Sequence, residues 1–136
     1  MNYISLTLRR RTNAGNELFE FTAYAPPEGR VSLNVWIKGY AKFLPDGEYR
    51  FDGDCPSFPF EAIQKIVREY DIPTWNGWNK VVDGRYEEWI QMELGYAGGE
   101  GISIMGSLFP ESYDAARDAI LQSAAEFIKA NSEDFI

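Results

Sequence analysis

From Tyr3 to Arg9, the residues Ile4, Leu6 and Leu8 alternate with Tyr3, Ser5, Thr7 and Arg9, the period of a strand that buries one face. Thr12 to Asn16 are turn residues, with Gly15 able to take a positive φ, and Glu17 to Tyr24 has the pattern of a returning strand. Together they predict a hairpin. Pro26, Pro27 and Gly29 break the pattern, after which Val31, Leu33, Val35 and Ile37 alternate with Ser32, Asn34, Trp36 and Lys38. This third strand puts Trp36 on its polar face. Between Gly39 and Asp54, the tripeptide Pro45-Asp46-Gly47 separates two short aromatic runs and predicts a second, less regular hairpin.

The period then changes. Phe60, Ile63, Ile66, Val67 and Tyr70 recur at helical spacing behind Pro59, which a first helical turn tolerates, so a helix is expected over Pro59 to Tyr70. Pro73 helps prevent its continuation. Asn76-Gly77 and Asp83-Gly84 are strong turn dipeptides that place Trp75 and Trp78 on or beside a loop reaching Arg85. After Tyr86, the residues Ile90, Met92 and Leu94 share one strand face, while Glu87, Trp89, Gln91 and Glu93 share the other. Trp89 therefore repeats the placement of Trp36. A glycine-rich turn at Gly98, Gly99 and Gly101 precedes a short strand over Ile102 to Ser107. Past Pro110 to Ser112, an apolar stripe of Tyr113, Ala116, Ile120, Ala124, Phe127 and Ile128 predicts a second helix.

The expected order is β-β-β-(β)-α-β-β-α, with short connections. That order predicts an α+β fold: an antiparallel sheet of five to six strands with both helices packed on one face, in a single domain over residues 1–136. Composition agrees, since 45 % apolar and 25 % charged residues are the globular average. No window approaches the roughly 18 apolar residues of a membrane helix, and the N-terminal charges follow rather than precede a short apolar run. No membrane association is expected and the compartment expected is the cytoplasm. The single cysteine, Cys55, fits a reducing environment and excludes an internal disulfide.

Histidine is absent. That removes the usual general base, the Ser-His and Cys-His nucleophile pairs and the commonest zinc ligand, leaving an enzyme only carboxylates, Lys, Tyr or Arg. With 21 acidic and 13 basic residues, the formal charge of −8 disfavours direct nucleic-acid binding and favours a basic or nucleic-acid-binding protein as partner. The acidic series Asp46, Glu48, Asp52, Asp54 does not match the calcium-loop template, and Glu87-Glu88 has the look of a solvated strand entrance. Neither a metal nor a cofactor is expected.

Trp75-x-Gly77 after a short helix, Asp83-Gly84, a strand containing Trp89, then Gly106, Phe109-Pro110 and Tyr113 before a last helix resembles a pattern in small uncharacterised bacterial and phage domains. The resemblance covers about the C-terminal 80 residues. It implies a bacterial or phage origin and the same α+β layout, and it carries no activity.

Two kinds of residue remain as candidate binding groups. Arg9, Arg10 and Arg11 concentrate positive charge at a strand end, where guanidinium forks could clamp a phosphate or carboxylate, or simply discourage edge pairing. Trp36, Trp75, Trp78 and Trp89 are the others. With the helices on one sheet face, Trp36 and Trp89 project from the opposite one. Their cover could be the Trp75 to Arg85 loop, a second copy of the chain, another protein, or a flat small molecule. The expectation is a non-enzymatic interaction module acting through an acidic, aromatic surface, such as a phage or bacterial inhibitor, anti-defence or immunity-type protein. The alternative is a binder or sequestering protein for an anionic ligand such as a nucleotide.

Overall fold

Strands β1 (Tyr3–Thr12), β2 (Gly15–Tyr24), β3 (Ser32–Lys38) and β4 (Glu48–Asp54) precede helix α1 (Phe60–Glu69) in a computed structural model of the chain. A 3₁₀ turn (Ile72–Trp75), β5 (Asn79–Lys80), β6 (Glu88–Gly95) and β7 (Ile102–Gly106) lead to helix α2 (Tyr113–Ala130). The structure describes residues 1–13, 15–45, 47–82, 86–99, 101–131 and 133. The Asp83-Gly84 turn, the loop end at Arg85, and Asp46 of the acidic series lie outside the described residues.

Among the described residues, seven strands form one sheet in the order β4-β3-β2-β1-β6-β7-β5, with two helices. The α+β class is as expected. The sheet is larger than the five to six strands anticipated, and it is mixed, because β5 runs parallel to β7. The extra strand has a local cause. Leaving the 3₁₀ turn, the chain lies along the free edge of β7, where Trp78 O accepts Met105 N–H and Lys80 O accepts Ser107 N–H, each at 3.0 Å. Asn79 and Lys80 are both exposed, so no apolar alternation marks the pairing in the sequence.

Alternation sorts the sheet into two faces. Ile4, Leu6 and Leu8 of β1, Phe19, Phe21 and Ala23 of β2, and Leu33, Val35 and Ile37 of β3 are buried on one side, as are Ile90, Met92 and Leu94 of β6. Ile63 and Val67 of α1 and the α2 stripe through Ala116, Ile120, Ala124 and Ile128 close over that side. Phe58 stitches the layers together, its ring 5.8 Å from those of both Phe21 and Phe127 and 4.9 Å from that of Phe60. The drive is removal of apolar area from water, about 25 cal/mol per Å². The hairpin expected within Gly39 to Asp54 does not form: the run from Tyr40 to Leu44 is not a strand but turns inward to bury Tyr40, Phe43 and Leu44, and β4 pairs with β3 instead. No helix among the described residues is long and apolar enough to cross a membrane.

The strands differ in length at one end. β3 stops opposite Leu18 and β6 begins opposite Arg10, so the tip of the β1–β2 hairpin overhangs the sheet body.

Candidate functional site

The face without helices carries an ordered array of side chains. Register places Lys38, Leu18, Arg9 and Trp89 in one row across β3, β2, β1 and β6. Arg50, Trp36, Glu20, Thr7 and Gln91 form the next row. Neighbours in a row are about 4.8 Å apart, close enough for long side chains to touch. Trp36 and Trp89 are both half-buried there.

Trp36 is held by its own chain. Its Nε1 donates to Glu48 Oε1 at 2.8 Å, and Arg50 Nε donates to the same oxygen at 2.7 Å. Arg50 lies 4.2 Å and Lys38 Nζ 5.1 Å from the indole centroid, cation–π distances. The hydrogen bonds from Arg50 and Trp36 hold the Glu48 carboxyl below the usual carboxylate range. Trp89 packs differently, against Tyr86 at 6.0 Å, and Tyr86 in turn lies 4.8 Å beneath the Arg11 guanidinium.

Beside the hairpin overhang these groups surround a cleft of about 300 Å³, lined by Arg9, Arg11, Leu18, Trp36, Lys38 and Tyr86. Arg10 and Glu17 also reach it, but they satisfy each other: Arg10 Nε and Nη2 both donate to Glu17 Oε1, the former at 2.7 Å. Glu17 is further fixed by the Tyr40 N–H, which donates to its Oε2 at 2.9 Å. Arg9, Arg11 and Lys38 form no ion pair among the described residues. Three cations without an ion pair among the described residues thus line an open, partly apolar cleft on a protein of net charge −8, with Glu48 opposite Lys38 in register.

A second polar cluster lies on the helix-covered side. Glu88, 7 % exposed, accepts from Arg117 Nη1 at 2.7 Å and from Tyr113 Oη at 3.2 Å. Burial opposes the charge of Arg117, but hydrogen bonds to Glu88 and Asp118 outweigh it and raise its pKa. Burial, reinforced by the Glu88 charge, pushes both Tyr113 and Tyr40 well above the ordinary tyrosine value. The Tyr40 hydroxyl is buried without a hydrogen-bond partner among the described residues. Arg10, Tyr86, Glu88, Leu108, Phe109 and Arg117 line a cleft of about 370 Å³ outside this cluster. Its Arg10 and Arg117 are both already paired, so it offers an incoming anion far less than the hairpin cleft does.

Of the anticipated binding residues, Arg9, Arg10, Arg11 and Trp36 meet in one cleft, and Trp89 lies across from Arg9. Trp75 and Trp78 do not join them. Trp75 is in the core, its ring 6.4 Å from that of Tyr113, and Trp78 packs on the β7 side with Nε1 donating to Leu108 O at 2.8 Å. The described part of their loop therefore covers neither Trp36 nor Trp89. Arg10 also departs from its neighbours: one step of alternation from Arg9, its guanidinium lies over the Tyr40 ring at 4.8 Å. Glu88 is not a solvated strand entrance. It shares the buried face of Ile90 and Met92, a parity that could have exposed its role, since a core-facing carboxylate needs a partner. Lys38 and Tyr86 were missed as site residues; Lys38 shares Trp36's strand face, whereas nothing local marks Tyr86. No protein-family model matches the chain, and no curated protein matches it.

Proposed function

We propose that this chain is a non-catalytic recognition domain that binds an anionic ligand on the open face of its sheet, in the cleft beside the β1–β2 overhang. The observation that carries this reading is the convergence of Arg9, Arg11 and Lys38, without ion-pair partners among the described residues, on a cleft walled by Leu18, Trp36 and Tyr86. Cations without an ion pair are free to exchange solvent for a ligand's charge. The cleft volume is at the lower end of small-molecule sites, about 300 to 1,000 Å³. The surface expected from net charge was acidic, but the charge lining this cleft is positive.

A thermal-shift series with inorganic phosphate, citrate, benzoate and phenyl phosphate tests the reading. At least one anion should raise Tm, since a ligand at 100 times its Kd stabilises by about 2.7 kcal/mol. The double variant Arg9→Gln, Lys38→Gln should fold normally and lose the shift. Equal shifts in both proteins would place binding elsewhere. No shift with any member of the series would remove the proposal.

A second reading is supported by the Lys38–Leu18–Arg9–Trp89 row, which extends beyond the cleft across four strands. Cations, an aliphatic chain and an indole in line suit a protein partner that presents an acidic, apolar-flanked segment.

A further inference from the structure

Resting on the anion-binding reading, we infer that the cleft takes a small phosphomonoester in its dianionic form, with a planar ring attached, as in a nucleoside monophosphate.

The charge count selects the headgroup. Arg10 is paired with Glu17 and Arg50 with Glu48, which leaves Arg9, Arg11 and, with part of its charge offset by Glu48 across the strand pair, Lys38 to face a ligand. Three cations exceed what a carboxylate or sulfate monoester needs, whereas a phosphate monoester presents close to two charges and three acceptor oxygens at neutral pH. Register gives the cations a suitable spread: Arg9 and Lys38 are separated by one strand, and Arg9 and Arg11 by one residue along the same face. Arg9 and Arg11 can offer forks and Lys38 a point charge.

Surrounding carboxylates set an upper limit. Glu17 lies in the cleft wall, Glu20 is next to Trp36 in register, and Glu48 is directly opposite Lys38. A chain of phosphates running out of the cleft would meet these acids and the field of a −8 protein, so a monophosphate is favoured over a triphosphate or a nucleic-acid strand. The remaining walls select the ring. Tyr86 is anchored between Arg11 and Trp89, and Trp36 is fixed by Glu48 and Arg50, so both aromatic walls are held in place before a ligand arrives. Lys38 rests on the Trp36 ring; moving its ammonium to a phosphate would free part of that indole for a ligand's ring.

The absence of histidine makes the charge state directly testable, because the one side chain that ordinarily titrates between pH 5 and 8 is missing. Calorimetric titrations of the full chain with phenyl phosphate, phenyl sulfate, adenosine 5′-monophosphate and adenosine 5′-triphosphate at pH 7.5 and 5.0 decide the matter. Phenyl phosphate and the monophosphate should bind, and each should weaken about tenfold at pH 5.0 as the phosphate, with a second pKa near 6, takes up a proton. Phenyl sulfate, similar in shape but with one charge, should bind at least about tenfold more weakly at pH 7.5. Arg9→Gln and Lys38→Gln should each cost phenyl phosphate about tenfold while flattening its pH dependence. Phenyl sulfate binding as tightly as phenyl phosphate, with no pH effect, would overturn the dianion inference and leave anion binding intact. Triphosphate binding more tightly than monophosphate would overturn the selection for one phosphate. A phosphotyrosyl peptide binding more than tenfold tighter than phenyl phosphate would transfer the site to a protein ligand and overturn the small-molecule inference. If none of these anions binds, the phosphomonoester inference fails, while a Tm shift with citrate or benzoate would keep the anion-binding reading.

Discussion

Glu88 is a buried carboxylate held by two hydrogen-bond donors. Its carboxylate is enclosed on the covered side of the sheet and receives Arg117 and Tyr113, while Arg117 also reaches Asp118 at 3.0 Å and Asp114 at 3.5 Å. Removing one member of a buried pair strands the other's charge, a loss of about 3 to 5 kcal/mol in fully enclosed cases. Arg117 keeps two acidic neighbours and is 21 % exposed, so Glu88→Ala should cost about 2 to 3 kcal/mol, read as a lower urea midpoint at unchanged slope. Glu88→Gln retains an acceptor and should cost less than half as much. Equal losses would mean that packing, not charge, makes this site expensive to alter. The pair was only half legible in the sequence. Strand parity marks Glu88 as core-facing beside Ile90, but Arg117 lies 29 positions away on a helix, and nothing in the local pattern links them. The arginine triplet shows the same boundary: alternation separates Arg10 from Arg9 and Arg11, whereas its neutralisation by Glu17 depends on hairpin register.

At the level of elements, the long strands and both helices were legible because each carries its own apolar period, and the sheet's size was not because β5 carries none. β5 is held by backbone pairing together with flanking hydrogen bonds through the side chains of Asn76, Trp78 and Ser107, and Gly106 makes it fit. There the backbone has φ +153°, and an added Cβ would run into Lys80 O and lie 3.1 Å from Lys80 C. The obstacle is backbone, which cannot rotate aside. Gly106→Ala should therefore push β5 off the sheet edge while the five strands from β4 to β6 keep their pairing. Hydrogen exchange should record the change as faster exchange of the Met105 and Ser107 amides, which donate to Trp78 O and Lys80 O. Amides within β1 and β2 should keep their protection. Retained protection at Met105 and Ser107 would show that the edge accommodates the methyl group. The hairpin overhang that creates the cleft has a similar origin: the strands themselves are visible in the sequence, but where β3 and β6 stop relative to β1 follows from register.

Across the whole molecule, the titratable groups divide into an acid-side and an alkaline-side set, with no histidine between them. Asp118 belongs to the first: burial raises its pKa, but hydrogen bonds from Lys42 and Arg117 prevail and lower it. Its contribution is present above the unfolded aspartate value of about 3.9 and is lost as pH falls through the folded value. Tyr40 and Tyr113 form the second set, raised by burial and then by the Glu88 charge. Below about pH 10, folded and unfolded chains both hold these phenolic protons, so the contribution is complete. Above that value the unfolded chain releases two protons that the folded chain retains. Each pH unit then costs about 1.4 kcal/mol per tyrosine, or about 2.7 kcal/mol for the pair, until the folded protein itself ionises. Stability should accordingly vary little between pH 6 and 9 and fall steeply from pH 10 upward. Urea midpoints across that range, followed alongside tyrosinate absorbance, check the account. An absorbance step equal to two of the eight tyrosines should appear only as the far-ultraviolet circular dichroism is lost. Complete ionisation of all eight in a chain that keeps its secondary structure would show that Tyr40 and Tyr113 are reached by hydroxide without unfolding, and the buried charge network around Glu88 would then have to be far more open than its geometry indicates.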